Sequence, residues 1–400
     1  MNYKLAVNCR MSGEKLSSER VILDIKDAPL PGLYPKKEKD SLKLRTPLQI
    51  VQAEKSKLVQ LAHIIDDSVY KKYSFKGNIS NFYCNHLKYF VKEISDVFGK
   101  DSHILEIGAG DGTMLDMLHG LGYTKLCGID PSLAASECHN RNISLISGYF
   151  PHDLPAQLGK KCFDLIIIRH VLEHINDLQN FLMEIDGYLS EQGQLWVEVP
   201  DLNSTLSKKI FTNFHQLHCN YFTEDTLDTL FSSVNLFPIK KEVVGIYGGS
   251  LLHRYSREYK DISISQDNFA SIQKDVDFFS ERLSLSCSDL PGKIFGYGAA
   301  ERTASFFGIC PSLEKKISHF VDGNNLLWGR YMGGTQIPIS PPSFLKNNKP
   351  GSIILFAVSH ANEIVSELRH FVSEDTPVLI ANDHLSVASL YNFIHDGDLV

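Results

Sequence analysis

Apolar positions recur along the chain with two periods, and the two alternate in blocks. Ile104, Leu105 and Ile107 form a short apolar run that predicts a buried strand. Met114, Leu115, Met117 and Leu118 then recur at helical spacing, and Leu126 to Ile129 is apolar again, ending in Asp130. Further strands are predicted at Ile143–Ile146, Phe163–Ile168 and Gln194–Val199, with a hairpin at Ile239–Val244 and Leu251–Tyr255. Helical patterns fall around Leu133–Asn140, through Leu87, Phe90, Val91, Ile94 and Phe98, and through Phe181, Leu182, Ile185 and Leu189. Another helix runs to Phe231, with Thr223 as its N-cap. This alternation predicts a doubly wound α/β sheet. After a connecting helix through Phe269, Ile272, Val276, Phe279 and Leu283, a second α/β block opens at Lys293, with strands at Ile317–Val321, Ser352–Val358 and Thr376–Ile380.

The turn after the first of these strands holds the chemistry. It reads E-x-G-x-G-x-G, with Glu106, Gly108, Gly110 and Gly112, and Asp111 lies inside it. Glycines let the backbone approach a ligand at the carboxyl end of a strand. Asp130, at the tip of the next strand, suits the two hydroxyls of a ribose. A dinucleotide turn would place its third glycine at Thr113. Two carboxylates beside a pyrophosphate are unfavourable, but they suit a sulfonium that carries an ammonium group. The motif resembles the S-adenosylmethionine (SAM) site of class I methyltransferases. An aromatic in the loop after the third strand can stack on the adenine, which makes Tyr149 or Phe150 a candidate.

Composition narrows the picture. A 43% hydrophobic fraction is that of a folded globular chain, and a net charge of −7 gives no footprint for nucleic acid. No run is long enough to span a bilayer, and the first residues show no signal-peptide core, so a cytoplasmic location is expected. The eight cysteines form no C-x-x-C pair and indicate neither zinc nor a redox dithiol. In the second α/β block the third glycine position is Glu301, which argues against a dinucleotide. The helix that follows, with Arg302 near its start, can hold a phosphate.

The order of these pieces resembles the sugar C-methyltransferases of deoxysugar biosynthesis. The segments that carry the resemblance are CRMSG at Cys9–Gly13, KLVQLA at Lys57–Ala62, RHVLEH at Arg169–His174, EVPD at Glu198–Asp201, HQLHCNYF at His215–Phe222 and YGGS at Tyr247–Ser250. In that family an N-terminal module binds zinc through four cysteines. Here those positions are Cys9, Ser12, Ala53 and Ser56. One thiol does not make a structural zinc site, so a metal-free module is expected, held by burial of Leu58, Val59 and Leu61.

The resemblance implies a SAM-dependent enzyme with a nucleotide-linked keto-deoxysugar as substrate, held between the second and third domains. It implies His218 as general base, a role that suits a histidine at neutral pH. The family's tyrosine, first histidine and glutamate fall on His215, Gln216 and Leu217. His174 sits at a strand end that faces the ligand crevice and is a second catalytic candidate, with His215 a third; the alternative for His174 is a buried structural histidine beside Glu173. Substrate-binding candidates are His86, Tyr221, Gly248, Gly249 and Arg302. The family's second tyrosine of Y-x-Y is Phe75. The expected division is an N-terminal module over 1–72, a methyltransferase domain over 73–260 and a connecting helix with a Rossmann-like domain over 261–400. Losing the carboxylate at 217 and the hydroxyl at 75 leaves O- or N-methyl transfer open, as well as a catalytically silent SAM-binding protein.

Overall fold

The structure is a computed structural model, and it describes residues 3–65, 81–132, 135, 143–155, 158–382, 385–390 and 392. The helix expected around 133–140 and Phe75 lie outside these residues, apart from Ala135.

The middle of the chain builds a seven-stranded sheet. In chain order its strands are Ile104–Ile107, Leu126–Asp130, Ser144–Ser147, Phe163–Arg169, Leu189–Pro200, Phe237–Val244 and Ser250–Ser256. Numbered in that order, they lie 3-2-1-4-5-7-6 across the sheet. The first five run parallel, the seventh runs antiparallel beside the fifth, and the sixth pairs antiparallel with the seventh as a hairpin, so that only the seventh opposes the rest. Side chains alternate faces as the strand period requires. Leu165 and Ile167 pack on one side with Phe90, Leu115 and Trp196. Ile166 and Ile168 pack on the other with Phe181, Leu182 and Phe231. Burial on both faces explains why this strand reads as a continuous apolar run. The capping threonine is found where expected: Thr223 and Thr226 cap each other's backbone at the start of the helix Glu224–Ser232.

A second sheet of six strands follows. Ile294–Tyr297, Ile317–Val321, Ile339–Ser340, Ser352–Leu355, Pro377–Ile380 and Val387–Ser389 lie in the order 3-2-1-4-5-6. All are parallel except the last. Both sheets thus reverse their winding between strands 1 and 4, the point where doubly wound sheets open a crevice.

The N-terminal residues form a four-stranded antiparallel sheet from Val21–Pro29, Arg45–Gln52, Val59–Leu61 and, from far along the chain, Asn220–Tyr221. Leu58, Val59 and Leu61 are buried as expected, but not in a core of their own. Leu58 joins the core of the seven-stranded sheet, whereas Val59 and Leu61 join that of the C-terminal sheet and the helix Ile272–Ser288. The module is therefore a wedge held by its neighbours. At the positions aligned with the family's cysteines, Cys9 Sγ lies 3.2 Å from Ser56 Oγ, and Ser12 Oγ donates to Glu14 Oε1 at 3.1 Å. Glu14 also accepts from the Lys55 and Ser56 N–H groups. Hydrogen bonds tie the two knuckles, and a single thiol does not fit structural zinc.

Arg10 is the staple of this wedge. Its buried guanidinium donates to the carbonyls of Leu61 (2.6 Å), His63 (2.8 Å) and Cys219 (3.3 Å) and to Asn176 Oδ1 (3.3 Å). It joins the N-terminal module to the two histidine-bearing loops described below.

Candidate active site

A cleft of about 2430 Å³ opens between the two large sheets. The glycine turn lines one end, and Gly298, Arg302 and Asp322 line the other. The segment 208–218 and Tyr247 lie between them, and Gly32 and Tyr34 of the N-terminal module complete the wall.

At the glycine turn, Gly110 N–H donates to Asp130 Oδ2 (2.9 Å) and Ser132 N–H to Asp130 Oδ1 (2.7 Å). Each carboxylate oxygen keeps acceptor capacity beyond those bonds. A Cβ on Gly110 would meet nothing within 4 Å, so this backbone faces open cleft. Gly108 has φ +79°, and a Cβ there would lie 2.1 Å from Val171 Cγ2. The turn is thus a cradle of exposed backbone with an acid at its lip, and it fits an adenosyl ligand. Asp111 lines the cleft, and its Oδ1 accepts from the N–H and hydroxyl of Thr113.

The other expected site residues differ in where they lie. Glu106 does not reach the cleft. It is fully buried, and its Oε1 accepts from Arg169 Nη2 (2.7 Å) and Nε (3.2 Å). Burial raises its pKa, and the Arg169 guanidinium works against that rise. Gly112 is the N-cap of the helix Thr113–Gly120 and does not line the cleft. Phe150 does line it, but its ring packs edge-on against Phe181 and Tyr188, each 5.6 Å away. Tyr221 lies beneath the site, where its hydroxyl accepts from His215 N–H (3.2 Å). At Gly249 a Cβ would lie 2.4 Å from Ser204, so packing accounts for that glycine; Gly248 does line the cleft. His86 does not: its Nε2 lies 2.7 Å from Glu198 Oε1.

Glu198 anchors a buried chain of charges. His170 Nε2 lies 3.8 Å from Glu198, and its Nδ1 lies 3.4 Å from Glu173. Burial works against a charge on His170, but the two carboxylates outweigh it and push its pKa up to about 9. Burial alone would raise Glu198, yet His170 and His86 hold it well below the usual carboxylate range. The His170 ring meets Tyr247 edge-on at 4.8 Å.

The structure brings three of the expected histidines together. His174 and His218 meet edge to face at 5.1 Å between ring centroids, and His215 lies 3.9 Å from His218. His174 Nδ1 is 2.7 Å from the Leu217 carbonyl and His218 Nδ1 is 3.0 Å from that of Asn213. A carbonyl only accepts, so each Nδ1 carries a proton, and the neutral His218 ring has its lone pair on Nε2. Burial, then crowding by His215 and His174, holds His218 well below the ordinary imidazole pKa. Burial, His174 and Arg302 do the same to His215. Both rings are therefore neutral at pH 7. Leu217 is buried, but the carboxylate it lacks is present in space, because Glu173 lies beside His174 and His218. Arg302 reaches into the cleft, donates to Asn213 Oδ1 (3.1 Å) and sits over the Tyr247 ring (5.9 Å).

Sequence reasoning passed over Arg169 and Arg10. The pairing of Arg169 with Glu106 carries no local signal, because neighbouring strands bring the two together. Arg10 sits in a quoted motif, but its partners lie on other elements.

A parallel sheet closed by an antiparallel hairpin, with a glycine cradle at strand 1 and an acid at strand 2, defines the class I methyltransferase fold. Residues 79–240 match the family model described as "Methyltransferase domain", and residues 249–381 match "C-methyltransferase C-terminal domain". The chain is a SAM-dependent methyltransferase. It is 22% identical to C-methyltransferase NovU of Streptomyces niveus, over 82% of this chain and 84% of that protein. It is 29% identical to the ubiquinone biosynthesis O-methyltransferase of Pelagibacter ubique (strain HTCC1062), over 32% of this chain and 53% of that one. Similar solved structures include PH0226 of Pyrococcus horikoshii OT3, with 17% identity, a TM-score of 0.38, and coverage of 44% of this chain and 92% of that one. Geranyl diphosphate C-methyltransferase of Streptomyces coelicolor A3(2) has 14% identity and a TM-score of 0.35, covering 44% of this chain and 78% of that one. Among the described residues, no helix is long and apolar enough to cross a membrane.

Proposed function

We propose that the protein methylates a carbon of a nucleotide-linked keto-deoxysugar, with His218 as the general base. The observation that carries this reading is the neutral His218 ring, with its lone pair on Nε2, in a cleft shared by the glycine cradle and a second doubly wound sheet. Gly108, Gly110 and Asp130 would hold SAM, which supplies an electrophilic sulfonium methyl. The acceptor's nucleotide end lies toward Arg302, a cation suited to a diphosphate.

In this reading, His218 Nε2 takes the proton from the carbon next to the ketone. The electron pair left behind is shared with the ketone oxygen as an enolate; its carbon would then bond to the sulfonium methyl as the S–CH3 bond breaks, with that bond's electron pair going to sulfur and S-adenosylhomocysteine leaving. His218 is a weak base in its buried setting, so the reaction depends on holding the two partners in line. The leucine at 217 supports this division of labour, since Glu173 supplies the nearby carboxylate instead. The functional parts are the N-terminal wedge over 1–72, the methyltransferase domain over 73–260 and the C-terminal domain over 261–400, with the strand Asn220–Tyr221 crossing the first boundary.

The test is incubation with 13C-methyl SAM and a panel of keto-deoxysugars carrying different nucleoside diphosphates. The chemical shift of the transferred methyl separates carbon from oxygen. His218→Asn should lower kcat about 10²- to 10⁴-fold and stop exchange of the acceptor's α-proton with solvent. Methyl on oxygen, or unchanged exchange in the variant, would sink the carbanion route. Tight S-adenosylhomocysteine binding with no transfer to any acceptor would favour a silent binding protein.

A further inference from the structure

Cysteine spacing points to no metal anywhere in this chain, yet two histidines and a carboxylate converge in the cleft. We infer that Glu173, His174 and His218 form a binding site for a first-row divalent cation of the zinc class. One potential ligand atom from each residue lies within 4.8 Å of the other two. Three atoms so spaced all fall within about 2.8 Å of a common point (4.8 Å divided by √3), so small side-chain rotations reach the bond lengths of about 2.0–2.2 Å that zinc requires.

Two further observations point to a cation. Glu173 is buried, and among the described residues its Oε2 has no hydrogen-bond partner. A buried carboxylate oxygen left unmatched is costly, and a missing ion is one of the few explanations for it. The supports behind the ligands are also those of a metal site. Both histidines commit Nδ1 to a backbone carbonyl, which fixes the tautomer with Nε2 as the donor atom. Glu173 is backed by His170, 3.4 Å from its Oε1. His215 is the contrast. Its Nδ1 accepts from the Leu217 N–H, so its Nε2 carries the proton and is not a ligand in that tautomer. Two imidazoles and one carboxylate make a borderline donor set that leaves a coordination position for a ligand in the cleft.

Coordination would use the same Nε2 lone pair that proton abstraction needs. A filled site and a working base therefore exclude one another; this consequence rests on the reading of His218 given above, whereas the site itself does not.

The experiment titrates Zn2+ into the full chain against a chromophoric chelator, without SAM or acceptor, and repeats it with Co2+ to read the ligand-field spectrum. One ion per chain is expected, with a low-coordinate Co2+ spectrum. Affinity should fall by more than about 100-fold in Glu173→Gln and in His218→Asn, since even loss of a supporting residue typically weakens a site 10- to 100-fold. Cys9→Ser, at the N-terminal knuckle, should leave binding unchanged. The metal-free variants are checked by their melting transition and by S-adenosylhomocysteine binding, which show that they fold. No stoichiometric binding, or binding lost only in Cys9→Ser, overturns the site. Binding as expected with methyl transfer undiminished keeps the site and removes His218 as base.

Discussion

His174 and His218 meet edge to face at 5.1 Å although they belong to different loops of the chain. One follows the fourth strand of the central sheet and the other precedes the short strand that completes the N-terminal sheet. Their meeting depends on how those loops are tied, because Cys219 N–H donates to the Glu173 carbonyl at 2.6 Å and Asn220 Nδ2 donates to those of Leu172 and Ile175.

Arg10 should therefore matter to catalysis from outside the cleft. Arg10→Met removes the guanidinium donor from the carbonyls of Leu61 and His63, while that of Cys219 still accepts from the Leu61 N–H. Unmatched buried groups cost about 1–3 kcal/mol each, and partial relaxation should leave a net loss of about 2–4 kcal/mol. Urea unfolding measures that loss. The expectation for turnover is a fall in kcat with S-adenosylhomocysteine affinity preserved, since the staple holds the histidine loops and not the glycine cradle.

Arg169 and Glu106 form a buried pair, and breaking it from one side is the costly change. Arg169→Met leaves the Glu106 carboxylate in the core without its partner and should destabilise by about 3–5 kcal/mol. Adding Glu106→Leu should recover part of that loss, because a matched apolar pair carries no orphan charge. Chemical denaturation of the two single variants and the double variant gives the coupling. A single-variant loss below about 1 kcal/mol would contradict the pairing.

Asp130 should carry cofactor affinity and local order together. Its two oxygens accept from Gly110 and Ser132 and lie at the cleft. Asp130→Ala should remove micromolar S-adenosylhomocysteine binding in calorimetry and lower stability by about 1–3 kcal/mol. Asp130→Asn should keep part of both. Unchanged affinity in the alanine variant would remove Asp130 from the adenosyl site.

His170 gives an alkaline signature with a defined sign. Its folded pKa is raised to about 9 by Glu173 and Glu198 against an unfolded value of about 6.5. The stability it contributes is full below about pH 6.5 and is lost as pH rises toward 9; it amounts to at most about 3 kcal/mol. His215 and His218 act on the other side. Their depressed pKa values make stability fall as pH drops below about 6.5, because the unfolded rings bind protons first. Melting temperature against pH should decline on both sides of neutrality. In His170→Asn the alkaline decline should flatten, while the acid decline remains.

Much of the architecture was legible before any coordinates. The run Phe163–Ile168 could be assigned to a strand buried on both faces, and Thr223 to a helix start, because strand period and N-capping are local chemistry. The E-x-G-x-G-x-G turn with Asp130 also reads locally, since only glycine allows that backbone approach. His218 and His174 could be singled out, but by motif likeness and not by any visible partner.

Other features were decided by the tertiary structure. Glu106 looked like a ligand contact until the neighbouring strand supplied Arg169. Leu58, Val59 and Leu61 looked like one small core, but they divide between two larger ones because the wedge is too small to bury both faces of its own sheet. Leu217 looked like a lost carboxylate, while Glu173 brings one from another loop. The physical reason is common to all three. Backbone conformation follows from residues a few positions apart, so sequence alone determined most strands of the two large sheets, the glycine turn and the cap at Thr223. Charge pairing and burial depend on which distant segments the sheets bring side by side, and only the assembled fold decided those.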